Sequence, residues 1–138
     1  MIDFDTLLEH ARQAMTMAYA RYSHYQVGCA AEVDDGRIIT GCNVENASLG
    51  LTLCAECGLI SELIRGGGGK LVRFVCVGPE GEVITPCGRC RQLLAEHAAP
   101  TMELWLPVGV VSVAEMLPGA FTPADLLAAQ AKERKTDG

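Results

Sequence analysis

The sequence predicts a layered α/β fold, because helix-like and strand-like segments alternate along its 138 residues. Residues 71–77 are almost continuously apolar and β-branched, which is typical of a central strand that is covered on both faces. Two strand-like segments nearer the N-terminus are separated by Asp34-Asp35-Gly36, which favours a tight hairpin turn. The length is that of one domain, which we expect to span residues 1–138.

The first predicted helix lies near the N-terminus, where apolar residues recur at helical spacing and either Asp3 or Asp5 can cap the first turn. Its apolar positions are Leu7, Leu8, Ala11, Met15, Ala18 and Tyr19. The hairpin that follows consists of strands at residues 25–33 and 37–44, so the sheet is expected to start with an antiparallel pair.

The second predicted helix covers residues 53–64 and ends at Gly66, where a chain leaving a helix commonly needs a positive φ. The run from Gly66 to Gly69 and Lys70 is predicted to be a flexible loop rather than a phosphate-binding loop, because a strand follows it and no Ser or Thr follows the lysine. The elements predicted after the central strand are a helix at 88–98, strands at 102–106 and 108–113, and a terminal helix at 123–135.

Composition and charge narrow the class of protein. The chain is 49% hydrophobic and 20% charged, and it has no apolar run approaching the roughly 20 residues of a membrane span. Its acidic N-terminal segment lacks the features of a secretory signal, so we expect a soluble, cytoplasmic protein with no membrane partner. A net charge of -6 argues against binding to nucleic acid. Seven cysteines, an odd number, favour metal ligands and buried free thiols over a disulfide framework.

The strongest functional signal is Cys54-Ala55-Glu56, followed after a long gap by Pro86-Cys87-Gly88-Arg89-Cys90. This pattern predicts one zinc ion per chain with Cys54, Cys87 and Cys90 as its ligands. A closed structural site has no use for a carboxylate beside the metal, whereas a catalytic site keeps a fourth position open for water and needs a proton carrier. Glu56 is therefore the candidate general acid and base.

Both parts of this motif lie where predicted helices begin. Unpaired backbone N–H groups and the positive end of the helix dipole would then face the thiols. We expect this position to lower the pKa of the thiols and to favour metal binding.

A closed site with four cysteines is the alternative, because Cys54-x-x-Cys57 and Cys87-x-x-Cys90 are two paired motifs. That alternative leaves Glu56 without a role. The other cysteines are expected to be small core residues and the histidines to be surface or hydrogen-bonded residues. These are Cys29, Cys42 and Cys76, and His10, His24 and His97.

Three further segments, at residues 22–28, 41–47 and 117–121, resemble those of small homotetrameric cytidine deaminases of the three-cysteine type. Together with the zinc motif, this identifies the chain as similar to the cytidine and deoxycytidylate deaminase superfamily over most of its length. The resemblance implies a three-layer α/β/α sandwich with a mixed central sheet of about five strands. It also implies a homotetramer whose active sites are shared between subunits.

The resemblance assigns substrate contacts to five residues. Asn43 and Glu45 would hydrogen-bond the 3′-hydroxyl of the sugar. Tyr25 would pack near the pyrimidine, and Phe121 would reach the site of a neighbouring subunit. Ala55 is also assigned to the substrate.

The chain departs from this family at two positions. Many members carry an arginine directly after the catalytic glutamate, where it donates to the thiolates and offsets their charge, but this chain has Cys57 there. Either Arg91 then takes over that compensation, or the site tolerates more negative charge. Leu49 stands where relatives often carry a tyrosine near the subunit interface, so contacts there do not transfer.

The implied activity is hydrolysis of cytidine and 2′-deoxycytidine to uridine and 2′-deoxyuridine with release of ammonia, a reaction of pyrimidine salvage. The partners would be a small nucleoside and water, with Glu56 taking the proton of the water and delivering protons to N3 and the leaving amine. One rival is a deaminase of cytosine nucleoside antibiotics of the blasticidin type, against which the Asn43 and Glu45 pair argues. A second rival is a non-enzymatic zinc-binding interaction module.

Overall fold

The computed structural model describes the backbone of residues 1–137 and the side chains of residues 1–134. Its strands are β1 (Gly28–Val33), β2 (Ile38–Cys42), β3 (Leu71–Val77), β4 (Ala98–Leu106) and β5 (Gly109–Ser112). Its α-helices are α1 (Phe4–Thr16), α2 (Ala55–Arg65), α3 (Gly88–His97), α4 (Val113–Met116) and α5 (Pro123–Asp137), and a short 3-10 helix covers Leu49–Leu51. No helix within residues 1–137 is both long enough and apolar enough to cross a lipid bilayer.

The first helix begins at a side-chain cap. The carboxylate of Asp3 accepts a hydrogen bond of 2.8 Å from the backbone N–H of Thr6, which satisfies one of the free donors of the first turn. This capping also lowers the pKa of Asp3, chiefly through the hydrogen bonds of Thr6. The buried face of α1 consists of Leu7, Leu8 and Ala11, at the helical spacing predicted from the sequence.

The strands form one sheet in the order β2-β1-β3-β4-β5. The pairs β1–β2, β1–β3 and β4–β5 are antiparallel, whereas β3 and β4 are parallel, so the sheet is mixed. The parallel pair requires a crossover, and α3 provides it. The central position of β3 matches its continuous apolar sequence, because helices cover both of its faces.

The two faces of the sheet bury different halves of the core. Alternate residues of β1 and β3, such as Ala30 and Val75, face α1 together with its leucines. The intervening residues, such as Ala31 and Phe74, face α2 and α3 in the larger cluster. This arrangement confirms the predicted three-layer α/β/α sandwich with a five-stranded mixed sheet.

Several element ends were predicted wrongly, since α1 ends at Thr16, before Ala18 and Tyr19, and β4 begins at Ala98 instead of residue 102. The first strand begins at Gly28 instead of residue 25. Over residues 25–27 the side chain of Asn43 hydrogen-bonds to the N–H of Val27 and the carbonyl oxygen of Tyr25, in place of a neighbouring strand. Gly66 has a φ of -83°, and the positive φ values fall instead on the three glycines that follow, Gly67 to Gly69. Arg37 donates to the carbonyl oxygens of Gly66 and Gly68, so this glycine-rich loop is tied to the start of β2.

Candidate metal centre and active site

Three cysteine sulfurs lie together where two helices begin. The Sγ atoms of Cys54, Cys87 and Cys90 all lie within 4.8 Å of one another, and the distance from Cys54 to Cys87 is 4.0 Å. Thiolates bound to one tetrahedral zinc at 2.3 Å would be separated by about 3.8 Å. The three side chains therefore fit one zinc ion with only a small adjustment of their positions.

The local sequence explains why these sulfurs meet. Cys54 is the N-cap of α2 and Cys87 is the N-cap of α3, while Cys90 lies in the first turn of α3. The chain entering α2 is fixed by paired backbone hydrogen bonds of 2.9 Å between Leu53 and Val44. Two helix N-termini are thus directed at the same point, as predicted from the positions of the motif.

Glu56 lies in the first turn of α2 and is buried, with 3% of its surface exposed. The thiols of Cys76 and Cys90 lie close enough to its carboxylate for its negative charge to act on them. Burial, followed by the negative charge of Glu56, raises the pKa of both thiols well above the ordinary value. Glu56 lines the cavity together with Cys54 and Cys87, which is where a proton carrier would have to act.

The expectation that the helix N-termini lower the pKa of all three thiols was only partly correct. Burial acts to raise the pKa of Cys87, but N–H groups and thiols around its sulfur, those of Cys90 first, hold that pKa below the ordinary value. Burial instead dominates at Cys54, whose thiol pKa is raised. The two effects compete, because a helix N-terminus lowers the pKa of a thiol whereas burial of the thiolate raises it.

Cys57 lies outside the compact group of sulfurs. Within the described residues, the cluster whose sulfurs are all within 4.8 Å of one another consists of Cys54, Cys87 and Cys90. Cys57 is partly buried, one helical turn after Cys54. This geometry favours three ligands and an open position over the closed site with four cysteines.

The guanidinium that reaches the sulfurs is that of Arg89, and the assignment of Arg91 to this task is not supported. Nη2 of Arg89 lies 3.6 Å from the Sγ of Cys54 and 3.8 Å from that of Cys57. Arg91 instead donates from Nη1 to the carbonyl oxygen of Met116 at 3.3 Å. The physical reason is direction, because residues 89 and 91 project from different sides of α3.

A cavity of about 400 Å³ opens in front of the cysteines and Glu56, within the range of small-molecule sites. Predicted site residues that line it are Tyr25, Asn43, Cys54, Ala55, Glu56 and Cys87. Lining residues that the sequence analysis missed are Val27, Thr52, Leu53, Ile84, Thr85 and Pro86. Five of these, all except Val27, lie within the two or three residues before Cys54 or Cys87, so their position next to the motif was the available signal.

The predicted sugar contacts also organise the neighbouring loop. Asn43 is buried, accepting from the N–H of Val27 and donating to the carbonyl oxygen of Tyr25, each at 2.9 Å. The carboxylate of the partly buried Glu45 accepts hydrogen bonds from the N–H groups of Tyr22 and Ser23, and also from the hydroxyl of Ser23. These hydrogen bonds, led by that of the Ser23 side chain, lower the pKa of Glu45.

Phe121 does not line the cavity of its own chain. It is 59% exposed, and its carbonyl oxygen accepts a hydrogen bond of 2.8 Å from the side chain of Gln92. Its segment is therefore attached to α3, which carries two of the motif cysteines, while the phenyl ring is left open to solvent in the single chain.

The three-layer fold, the open group of three sulfurs and the buried carboxylate together define a candidate zinc-dependent hydrolytic centre. A family model described as the cytidine and deoxycytidylate deaminase zinc-binding region matches residues 1–104. The chain therefore belongs to the cytidine and deoxycytidylate deaminase family.

Similarity to individual proteins supports the assignment to this family. A cytidine deaminase of Mycobacterium tuberculosis is 49% identical over 125 residues, which cover 91% of this chain and 94% of the relative. A cytidine deaminase of Halalkalibacterium halodurans is 38% identical, covering 91% of this chain and 98% of the relative. The crystal structure of cytidine deaminase from Mycobacterium leprae superimposes with a TM-score of 0.83 at 52% identity, covering 86% of this chain and 99% of that one.

Proposed function

We propose that this protein hydrolyses cytidine and 2′-deoxycytidine to uridine and 2′-deoxyuridine, releasing ammonia, as a step of pyrimidine salvage. The observation that carries the proposal is a buried Glu56 beside three clustered cysteine sulfurs at a nucleoside-sized cavity, in a chain of this family.

Cys54, Cys87 and Cys90 would hold one zinc ion. When bound, zinc supplies Lewis acidity that activates water near neutral pH. The N–H groups at the starts of α2 and α3 support the negative charge of the cysteine side chains. The ligand set leaves room for water beside Glu56, because Cys57 lies outside the sulfur cluster.

Glu56 carries the protons in this mechanism. Its carboxylate takes one proton from the attacking water, whose oxygen bonds to C4 of the pyrimidine, and delivers it to N3. It then carries a second proton from the new hydroxyl group to the amine, and the C4–N4 bond breaks to release ammonia. Burial keeps bulk water away from the carboxylate, so that proton transfer occurs with the substrate.

The nucleoside would be oriented by the residues around the cavity. Asn43 lines the cavity, and its amide group retains one donor hydrogen and one acceptor lone pair beyond the two hydrogen bonds of the loop. Glu45 would complete the contact with the sugar 3′-hydroxyl, Tyr25 would pack against the pyrimidine, and Ala55 would contact the substrate.

We further propose that residues 1–138 act as one domain and assemble into a cytoplasmic homotetramer. The exposed ring of Phe121 supports shared active sites, because its own chain leaves it uncovered.

An ultraviolet assay with zinc-loaded protein tests the proposal on cytidine, 2′-deoxycytidine and free cytosine. Both nucleosides should be converted, whereas cytosine should have a kcat/KM at least about tenfold lower, because each sugar-binding group left unpaired costs about 1 to 3 kcal/mol. Equal values for cytidine and cytosine would contradict the sugar contacts. Absence of both turnover and nucleoside binding would instead favour a zinc-binding interaction module.

A further inference from the structure

We propose that Arg89 is a positioning residue of the metal centre, offsetting the negative charge of the cysteine ligands in place of the arginine that the family commonly carries at position 57. The inference rests on the proposed zinc site. Arg89 lies on α3, whereas position 57 lies on α2, and it is a different residue of α3 from Arg91, to which the sequence resemblance had pointed.

The contacts of Arg89 support this role. Nη2 lies 3.6 Å from the Sγ of Cys54 and 3.8 Å from the Sγ of Cys57, both within the usual range of hydrogen bonds to sulfur. Arginine keeps its charge at every pH at which the protein is folded and presents several donors in one plane. It can therefore donate to a ligand sulfur without competing for the metal itself.

The charge of the site explains why such a donor is needed. Three thiolates exceed the charge of one Zn²⁺, and the buried carboxylate of Glu56 adds a further negative charge beside them. Arg91 is directed to the carbonyl oxygen of Met116.

Arg89 also connects the two halves of the metal centre. It lies on α3 between the ligands Cys87 and Cys90, and its contact to Cys54 crosses to the start of α2. The helix that carries two ligands is thereby tied to the third. Loss of the side chain should raise the negative charge at the site and also loosen the spacing of the ligands.

Zinc affinity is the appropriate measurement, because it reports on the site independently of turnover. We would purify Arg89→Ala, Arg89→Lys and the control Arg65→Ala, and determine each zinc dissociation constant by competition with a chromophoric chelator. Arg65 is an exposed arginine at the end of α2, paired with Glu62 at 2.7 Å, and lies away from the sulfurs. Removing a group that contacts a metal ligand typically weakens binding about 10- to 100-fold.

We expect Arg89→Ala to bind zinc at least about tenfold more weakly than wild type, Arg89→Lys to fall between them and Arg65→Ala to match wild type. A Cys57→Arg substitution in the Arg89→Ala background should recover most of the loss, since it restores a guanidinium from the other helix. Thermal unfolding of the zinc-loaded proteins checks that the variants are folded. If Arg89→Ala does not fold, the zinc dissociation constant of Arg89→Lys still tests the inference.

Two results would overturn the inference. One is an unchanged zinc dissociation constant in Arg89→Ala and Arg89→Lys, and the other is a loss that Cys57→Arg does not reverse. A wild-type protein that binds no zinc would instead contradict the proposed metal centre itself, so the two failures are distinguishable.

Discussion

At the scale of single residues, the chemistry depends on a carboxylate and three thiols that are far apart in sequence. Glu56 is 3% exposed, and the sulfurs of Cys54, Cys87 and Cys90 lie within 4.8 Å of one another. Neither group alone distinguishes a catalytic site from a structural one. Their combination does, because a closed zinc site leaves a neighbouring carboxylate without a function.

Replacing Glu56 by glutamine should separate proton transfer from folding. The amide has the same size and can form hydrogen bonds, but it cannot carry a proton between water and the substrate. We expect folded, zinc-loaded protein whose kcat is lower by a factor of about 10² to 10⁴ or more. Zinc content per chain and thermal unfolding provide the controls, and near-normal turnover would rule out the proposed mechanism.

Cys57 allows a direct test of the open coordination position. Cys57→Ala should keep about one zinc per chain and measurable activity, because its sulfur lies outside the cluster. The corresponding alanine variants of Cys54, Cys87 and Cys90 should each lose both. A Cys57→Ala protein that is folded poorly and contains no zinc would support the site with four cysteines.

Sequence reasoning identified the ligand cluster but not the arginine that contacts it. The cysteines were predictable because short motifs at two helix starts constrain both identity and direction. The choice between Arg89 and Arg91 depends on how α3 is rotated against α2, and neither residue carries a local signal for that rotation. The hydrogen bonds from Tyr22 and Ser23 to Glu45 were also missed, because their partners lie more than twenty residues apart in sequence.

At the scale of elements, the start of α2 is placed by its close packing on β2. A Cβ added at Gly41 would lie 2.2 Å from the carbonyl oxygen of Ala55 and 2.8 Å from the backbone nitrogen of Leu59. Both atoms belong to the backbone of α2, so the clash could not be relieved by rotating a side chain. The absence of a side chain at Gly41 therefore allows the helix that carries Glu56 to lie against the sheet.

Gly41→Ala should displace α2 and destabilise the protein by about 1 to 3 kcal/mol or more, the usual cost of overpacking. Zinc affinity should fall with it, because Cys54 caps the same helix. Gly58→Ala is the matched control: its added Cβ would meet only the Cα of Gly41, at 3.9 Å, and alanine in a helix gains up to about 1 kcal/mol over glycine. Urea unfolding of both variants measures the difference, and wild-type stability in Gly41→Ala would contradict the packing argument.

Most elements were predictable from periodicity, whereas their ends were not. The cap of α1 and the central strand β3 have local signals in the chain, namely Asp3 and a continuous apolar run. The start of β1 depended on hydrogen bonds from the side chain of Asn43, which lies in sequence beyond the end of β2. The bend after α2 depended on which glycine of a series adopts a positive φ, and composition alone does not distinguish between them.

At the scale of the whole molecule, several of the exposed large apolar side chains lie in two segments, at residues 49–53 and 121–127. Leu49, Leu51 and Leu53 are each exposed by half or more, as are Phe121 and Leu127 near the C-terminus. Both segments adjoin the site, because residues 52–54 line the cavity and the carbonyl oxygen of Phe121 accepts a hydrogen bond from Gln92 of α3. Exposed apolar surface of this kind favours assembly of several chains close to their active sites.

The proposed assembly predicts both a mass and a kinetic effect. Light scattering coupled to size-exclusion chromatography should give four times the chain mass, and Phe121→Ala should leave that mass unchanged. If the ring is buried against a nucleoside in a neighbouring subunit, its loss removes about 1.5 to 3 kcal/mol of binding, which corresponds to a rise in KM for cytidine of about 10- to 150-fold. Val108→Ala is a suitable control, because Val108 is 85% exposed at the turn between β4 and β5 and is not among the proposed nucleoside contacts. A fully active monomer at the assay concentration would contradict the shared site, and an unchanged KM in tetrameric Phe121→Ala would show that the ring does not contact the nucleoside.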